Sequence, residues 1–222
     1  MAPRSRIDSK TTARLLRIGT HLGALLPLAV LVWDYWTFQL SADPIREATF
    51  RTGRAALTLL VLSLSCTPLN IIFGWKQLLP LRRTLGLYAF MYATLHGLIF
   101  VGIDYAFDLE LILEAILRKP YAIAGLSAFL IMVPLALTSN RSSLRKLGEK
   151  WKLLHRLAYL AAIVAVVHFL WLVKQAYTRP LIYAAALAVL LVVRVRPVKE
   201  RIVRWRTESK RQLVTRPPSS AQ

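Results

Sequence analysis

Six apolar stretches alternate with polar connections along the chain, at residues 15–33, 55–73, 85–103, 121–138, 154–173 and 181–195. At ~1.5 Å of rise per residue, each is about long enough to cross ~30 Å of hydrocarbon as a helix, the last only barely. Lipid offers backbone groups no hydrogen-bond partner, so helix is the local structure such segments must take. The pattern predicts an all-α integral membrane protein, a six-helix transmembrane bundle. Pro27 and Pro134 fall inside spans, where neighbouring helices tolerate a kink, and Pro180 opens the last span, where its missing N–H costs nothing. The run Trp33-Asp34-Tyr35-Trp36 suits an interfacial belt, and no small-residue cleavage site accompanies it, so the first span is expected to be retained. No repeat with a period of about 20–50 residues stands out. The expected organisation is an N-terminal tail at 1–14, the bundle at 15–196 and a basic C-terminal tail at 197–222.

Composition narrows the class. Of 222 residues, 56% are hydrophobic and 18% charged, with a mean hydropathy of +0.47. That much apolar surface excludes a disordered chain. Cys66 is the sole cysteine, which excludes a disulfide scaffold, a thiol–disulfide shuttle and zinc sites built from cysteine clusters. A net charge of +19 would suggest nucleic acid in a soluble protein, but a bilayer sorts charge by side. Lys76, Arg82 and Arg83 in the second connection lie on the same side as both termini, as do Arg141, Arg145, Lys146, Lys150, Lys152 and Arg156 in the fourth. The whole excess falls there, so that side is expected to be cytoplasmic, with both termini on it and anionic lipid rather than nucleic acid as its partner. The third-to-fourth connection carries Asp104, Asp108, Glu110 and Glu114 against Arg118 and Lys119, as either a docking surface or a solvated loop.

Four histidines, His21, His96, His155 and His168, lie in or at the edge of spans. An ionisable group inside a bilayer is costly and marks function by default, although an interhelical hydrogen bond can also account for a single histidine. His96 and His168 both fall past the midplane toward the outside, on helices that can face each other. Two facing imidazoles suit the iron of a porphyrin, and the lack of nearby cysteines and carboxylates argues against zinc or a di-iron centre. His155 and His168 are separated by a rise of about 20 Å, which suits two stacked cofactors, but they differ in direction by about 140° and need different partner helices. His21 is the available partner for His155, at a depth mismatch of roughly 7 Å that tilt can close. Arg17, Arg54, Arg82, Arg83 and Arg156 near span ends can serve haem propionates or snorkel to headgroups. Trp33, Trp36, Trp75, Trp151 and Trp171 are expected as interfacial anchors. No Ser-His-Asp arrangement, P-loop or Gly-rich nucleotide fingerprint is present, so the chain is not expected to bind NAD(P)H by itself.

Several short stretches recur in order through the spans: His21-Leu22-Gly23-Ala24-Leu25-Leu26-Pro27, Ala42-Asp43-Pro44, Thr52-Gly53-Arg54, Thr67-Pro68 and Arg82-Arg83-Thr84-Leu85-Gly86-Leu87. Thr94-Leu95-His96, Arg118-Lys119-Pro120-Tyr121, Arg145-Lys146-Leu147-Gly148, Leu154-His155 and His168-Phe169-Leu170-Trp171 follow. With these, the chain resembles the haem-binding membrane subunits of bacterial periplasmic methionine-sulfoxide reductase systems. That family belongs to the ferric-reductase-like transmembrane superfamily, which also holds the NADPH oxidases. The resemblance implies an inner-membrane, non-catalytic electron-transfer subunit. It implies b-type haem in one or two copies and flavin mononucleotide (FMN). Electrons would come from the quinone pool or a cytoplasmic flavin reductase and pass to a periplasmic molybdenum enzyme that repairs methionine sulfoxide. The family's haem-linked histidines map onto His96, His155 and His168. A second histidine expected in the third span is replaced by Arg82 and Arg83, which leaves room for His21 or for a flavin at the cytoplasmic side. A histidine-relay transporter and a non-catalytic anchor for a periplasmic enzyme are the competing expectations.

Overall fold

The computed structural model describes residues 5–173 and 176–215, and the side chains within 11–173 and 176–208. Parts of both expected tails, Arg4 and Arg216 among them, lie outside the described residues. Those described form helices α1 (Ser5–Trp36), α2 (Pro44–Phe73), α3 (Leu81–Leu98), α4 (Leu109–Arg118), α5 (Pro120–Leu137), α6 (Arg141–Leu147), α7 (Glu149–Leu154), α8 (Leu157–Leu172), α9 (Thr178–Val192) and α10 (Arg196–Thr215), and no strand. The chain is a multi-pass membrane bundle. Five helical segments are long and apolar enough to span, and α9 with α10 makes a sixth only if the pair, bent by 74°, is taken as one span. Alone, the 15 residues of α9 rise about 22 Å, short of the hydrocarbon thickness. Arg194, Arg196 and Lys199 stand where a longer helix would continue, and the chain turns there.

Polar segments outside the expected spans are helical as well, α6 and α7 in the fourth connection among them. The acidic connection contains α4, because Asp108 caps Glu110 and Leu111 N–H, and Ile112 and Ala115 form a buried face. The basic C-terminal segment contains α10. There Arg206 Nη1 donates to the Asn70 and Ile71 carbonyls at 2.8 and 2.9 Å, and so satisfies the last turn of α2.

α2 is the most enclosed helix. It is capped by Asp43 at its start and by Gly74 at φ 77° at its end. Leu57, Leu60 and Leu64 meet Ala89 and Tyr92 of α3, Met132 of α5, Ala161 and Val166 of α8, and Leu187 of α9. Ala89, Ala161 and Ala162 are fully buried, and their small side chains let the helices approach closely.

Prolines interrupt the helical ladders of α1, α2 and α5, and in α1 and α2 side chains from elsewhere in the chain bond the freed groups. Pro68 has no N–H for the Leu64 carbonyl, and Arg194 Nη2 donates to that oxygen at 2.6 Å instead. Beside Pro27, the Tyr92 hydroxyl accepts from Leu28 N–H at 3.0 Å and donates to the Ala24 carbonyl at 2.8 Å, inserting itself into α1. His21 meets Tyr88 and Leu28 meets Tyr92, so α1 runs parallel to α3. The start of α1, the turns after α2 and α5, and α10 therefore gather at one end, which we call the basic end.

Candidate metal centre

The hairpin of α2 with α3 and the pair of α5 with α8 present the same device twice. On α3, His96 Nδ1 lies 2.8 Å from the Thr49 carbonyl of α2. On α8, His168 Nδ1 lies 2.6 Å from the Tyr121 carbonyl of α5. A carbonyl only accepts, so Nδ1 carries the proton in both rings and Nε2 keeps its lone pair. Each bond joins residues 47 apart in sequence.

One turn beyond each carbonyl stands a glycine against the ring it serves. A Cβ on Gly53 would come within 3.0 Å of His96 Nδ1, and one on Gly125 within 2.8 Å of His168 Nδ1. These glycines make room for the imidazoles. The ring centres of His96 and His168 are 6.1 Å apart, with planes at 79°. An iron with bonds of about 2 Å to both Nε2 atoms would set the ring centres roughly 6 Å apart, so the pair fits one metal between two axial imidazoles. Among the described residues, no three His, Cys, Asp or Glu side chains converge on a metal site. The donor set is thus two nitrogens, which suits a porphyrin iron that brings its own four. The π-helical turn Ile99–Asp104 continues α3 just past His96, a distortion common near functional sites.

The other two histidines are not brought together. His21 Nδ1 lies 2.9 Å from the Tyr88 hydroxyl. His155 sits at the junction of α7 and α8, its ring stacked on Trp151 with centres 3.9 Å apart. The Thr138 hydroxyl donates to the Pro134 carbonyl, so at 3.1 Å it accepts from His155 Nε2. No ring contact or hydrogen bond joins His21 or His155 to another histidine among the described residues.

Trp33, Trp36, Trp75 and Trp171 are exposed near span ends, as anchors would be. Trp151 is not: its Nε1 donates to the Thr138 carbonyl at 2.9 Å and ties α7 to α5. Arg17, Arg83 and Arg156 are exposed, and Arg82 is partly buried. Arg54, next to Gly53, has Arg179 as a charged neighbour. Sequence reasoning found the histidine pair and missed its supports, Thr49, Gly53, Tyr121 and Gly125. Their signal is the equal spacing of glycine and histidine in the two helix pairs, at a separation longer than the repeats sought.

The membrane bundle thus clamps one imidazole in each of two helix pairs and sets the two rings facing each other. Residues 52–166 match the family described as ferric reductase like transmembrane component, a stretch that holds His96 and His155 and ends just before His168. The chain belongs to that family. It is 39% identical over 216 residues, covering 94% of this chain and 95% of the relative, to the protein-methionine-sulfoxide reductase heme-binding subunit MsrQ of Xanthomonas axonopodis pv. citri. It is 42% identical over 180 residues, 80% of this chain and 88% of the relative, to the protein of the same name from Deinococcus radiodurans. No solved structure matches the chain.

Proposed function

We propose that this protein carries electrons across a membrane through a b-type haem held by His96 and His168. The observation that carries the proposal is the facing pair of rings, each with Nδ1–H held by a backbone carbonyl and Nε2 left as a donor. Bound haem iron supplies a one-electron couple. The protein's own residues do the holding. The Thr49 and Tyr121 carbonyls fix the tautomer of each ring and raise the basicity of Nε2. Gly53 and Gly125 let the rings sit close against α2 and α5. Arg54 offers a guanidinium for a propionate. One bis-histidine haem is the number the facing rings support, since neither His155 nor His21 meets a second imidazole.

The printed name of the relatives extends this to a role in reducing protein methionine sulfoxide. In this proposal electrons leave at the histidine-pair end for a periplasmic, molybdenum-containing reductase subunit. They enter at the basic end from quinol or a cytoplasmic flavin reductase, with FMN as a further cofactor. The charge asymmetry supports a cytoplasmic basic end with both termini there, in a bacterial inner membrane. This chain is then the non-catalytic subunit of the reductase system.

A proton relay has less support, because the rings of His96 and His168 spend Nδ1–H on the backbone rather than on another titratable group. The test is a reduced-minus-oxidised spectrum of purified protein. His96→Ala and His168→Ala should each lose most of the haem absorbance. Full haem content in both variants would overturn the assignment. A passive anchor, by contrast, would keep partner activity in both.

A further inference from the structure

At the basic end two adjoining cavities, of about 360 and about 150 Å3, share Arg82, Trp151 and His155 in their walls. The larger is mostly apolar, with Leu60, Leu64, Leu87, Phe90, Met132 and Leu135 along it, and it also carries Arg83 and Arg141. The smaller is lined by Arg82, Trp151, Lys152, His155, Arg156 and Tyr159. Neither wall contains an aspartate or a glutamate.

The cations divide by partner. Lys152 is paired with Glu149 at 2.9 Å. Arg194, behind Tyr159, is committed to the Leu64 carbonyl and to the Tyr159 ring face at 4.7 Å. Arg82 is different. It stands partly buried where the cavities meet, and no described residue hydrogen-bonds or ion-pairs with its guanidinium. The titratable groups beside it are Arg194, His155 and the Cys66 thiol, none of them an anion balancing it. Arg156, on the same wall, also lacks a carboxylate among the described residues. A guanidinium desolvated beside other cations is unfavourable unless an anion completes the site.

We infer that Arg82 and Arg156 form the seat of a phosphoryl group, carried by an amphipathic ligand whose apolar part fills the larger cavity. A neutral quinone would leave Arg82 and Arg156 without an anion. A single carboxylate would offset one charge. A phosphoryl group brings up to two charges and three acceptor oxygens, which guanidinium forks engage well. The apolar length of the larger cavity, continuous with the Arg82 neck, calls for a ligand that is only partly polar. This seat is distinct from the histidine pair, and its test does not depend on haem.

The full chain, purified in a neutral, phosphorus-free sugar detergent, is assayed for phosphorus per chain and by native mass spectrometry. We expect about one tightly held phosphorus-bearing adduct per chain, and Arg82→Gln should weaken its retention at least about tenfold, the scale of one lost charge-assisted hydrogen bond. Arg156→Gln, at an exposed position, should weaken retention in the same direction without endangering folding. Arg82→Lys should recover part of it, and Arg145→Gln on α6 should leave it intact. An adduct mass matching a lipid with a monoester phosphate assigns the seat to a lipid headgroup; a smaller phosphomonoester assigns it to a phosphorylated cofactor; a phosphodiester lipid, which brings one charge as a carboxylate does, would overturn the inference. Protein free of phosphorus, an adduct carrying only carboxylates, or retention unchanged in both glutamine variants would overturn the inference.

Discussion

The two ends of the helix pairs solve opposite problems with the same chain directions. At the histidine-pair end, each imidazole has its proton assigned by a backbone carbonyl, and no charged side chain among the described residues hydrogen-bonds either ring. At the basic end, His155 is bound to Thr138 and stacked on Trp151, and the charges around it outnumber their partners. The first end holds two facing imidazole rings, each with one nitrogen committed to the backbone. The second is a cavity whose walls ask for negative charge. The difference teaches that a histidine in a span does not define its own role; what holds the other ring nitrogen does.

The sharpest way to break this contrast is at the pair itself, where removing either imidazole leaves one axial donor and should abolish most haem binding. Next come the glycines. Gly125→Ala places a methyl carbon 2.8 Å from His168 Nδ1, and Gly53→Ala one 3.0 Å from His96 Nδ1. Each should loosen its ring from the carbonyl and lower haem affinity about 10–100-fold, Gly125→Ala the more, with a changed low-spin electron paramagnetic resonance signal. Wild-type spectra and titrations from both variants would refute the positioning role. A smaller effect follows from Tyr92→Phe, which removes the hydroxyl bridging Leu28 and Ala24 and should destabilise the protein by about 1–3 kcal/mol in thermal or denaturant unfolding. Haem content should hold.

The smallest effect is at Lys119, between α4 and α5. Its Nζ donates to the Tyr105 hydroxyl at 3.2 Å, and that contact holds the ammonium above the ordinary lysine range. A raised value in the folded state means the contribution is fully present below about pH 10.5 and is lost as pH rises through the raised value. The melting-temperature difference between wild type and Tyr105→Phe should therefore stay constant through neutral pH and vanish only in strong alkali.

Much of the architecture was legible because apolar runs of span length have few alternatives in lipid. The helices outside the expected spans, α4, α6, α7 and α10, are short or charged, and they are supported by caps and by contacts such as Arg206 with α2 that no local window contains. The sixth span was expected whole, and the turn at Arg194 shows why it is short: the arginine is engaged with the carbonyl orphaned by Pro68, far away in sequence. At the site, histidines are rare enough in spans to be noticed, whereas Gly125 sits unmarked in an apolar run. The expected partnership of His21 with His155 rested on His21 being the available histidine, across a depth mismatch. Availability ignores which hydroxyl lies nearer, and Tyr88 and Thr138 lie nearer.

The Tyr92 hydroxyl also acts as a depth gauge. Only 6% of the spanning window of α1 is buried within the protein, so most of that helix faces hydrocarbon that would let it slide along its axis. A phenol threaded between Leu28 and Ala24 permits one axial position and no neighbouring one. The level at which the basic residues of the first helix meet the headgroups is therefore set from inside the bundle, by the Tyr92 hydroxyl with the His21–Tyr88 and Asp34–Arg51 contacts, and not by the thickness of the surrounding lipid.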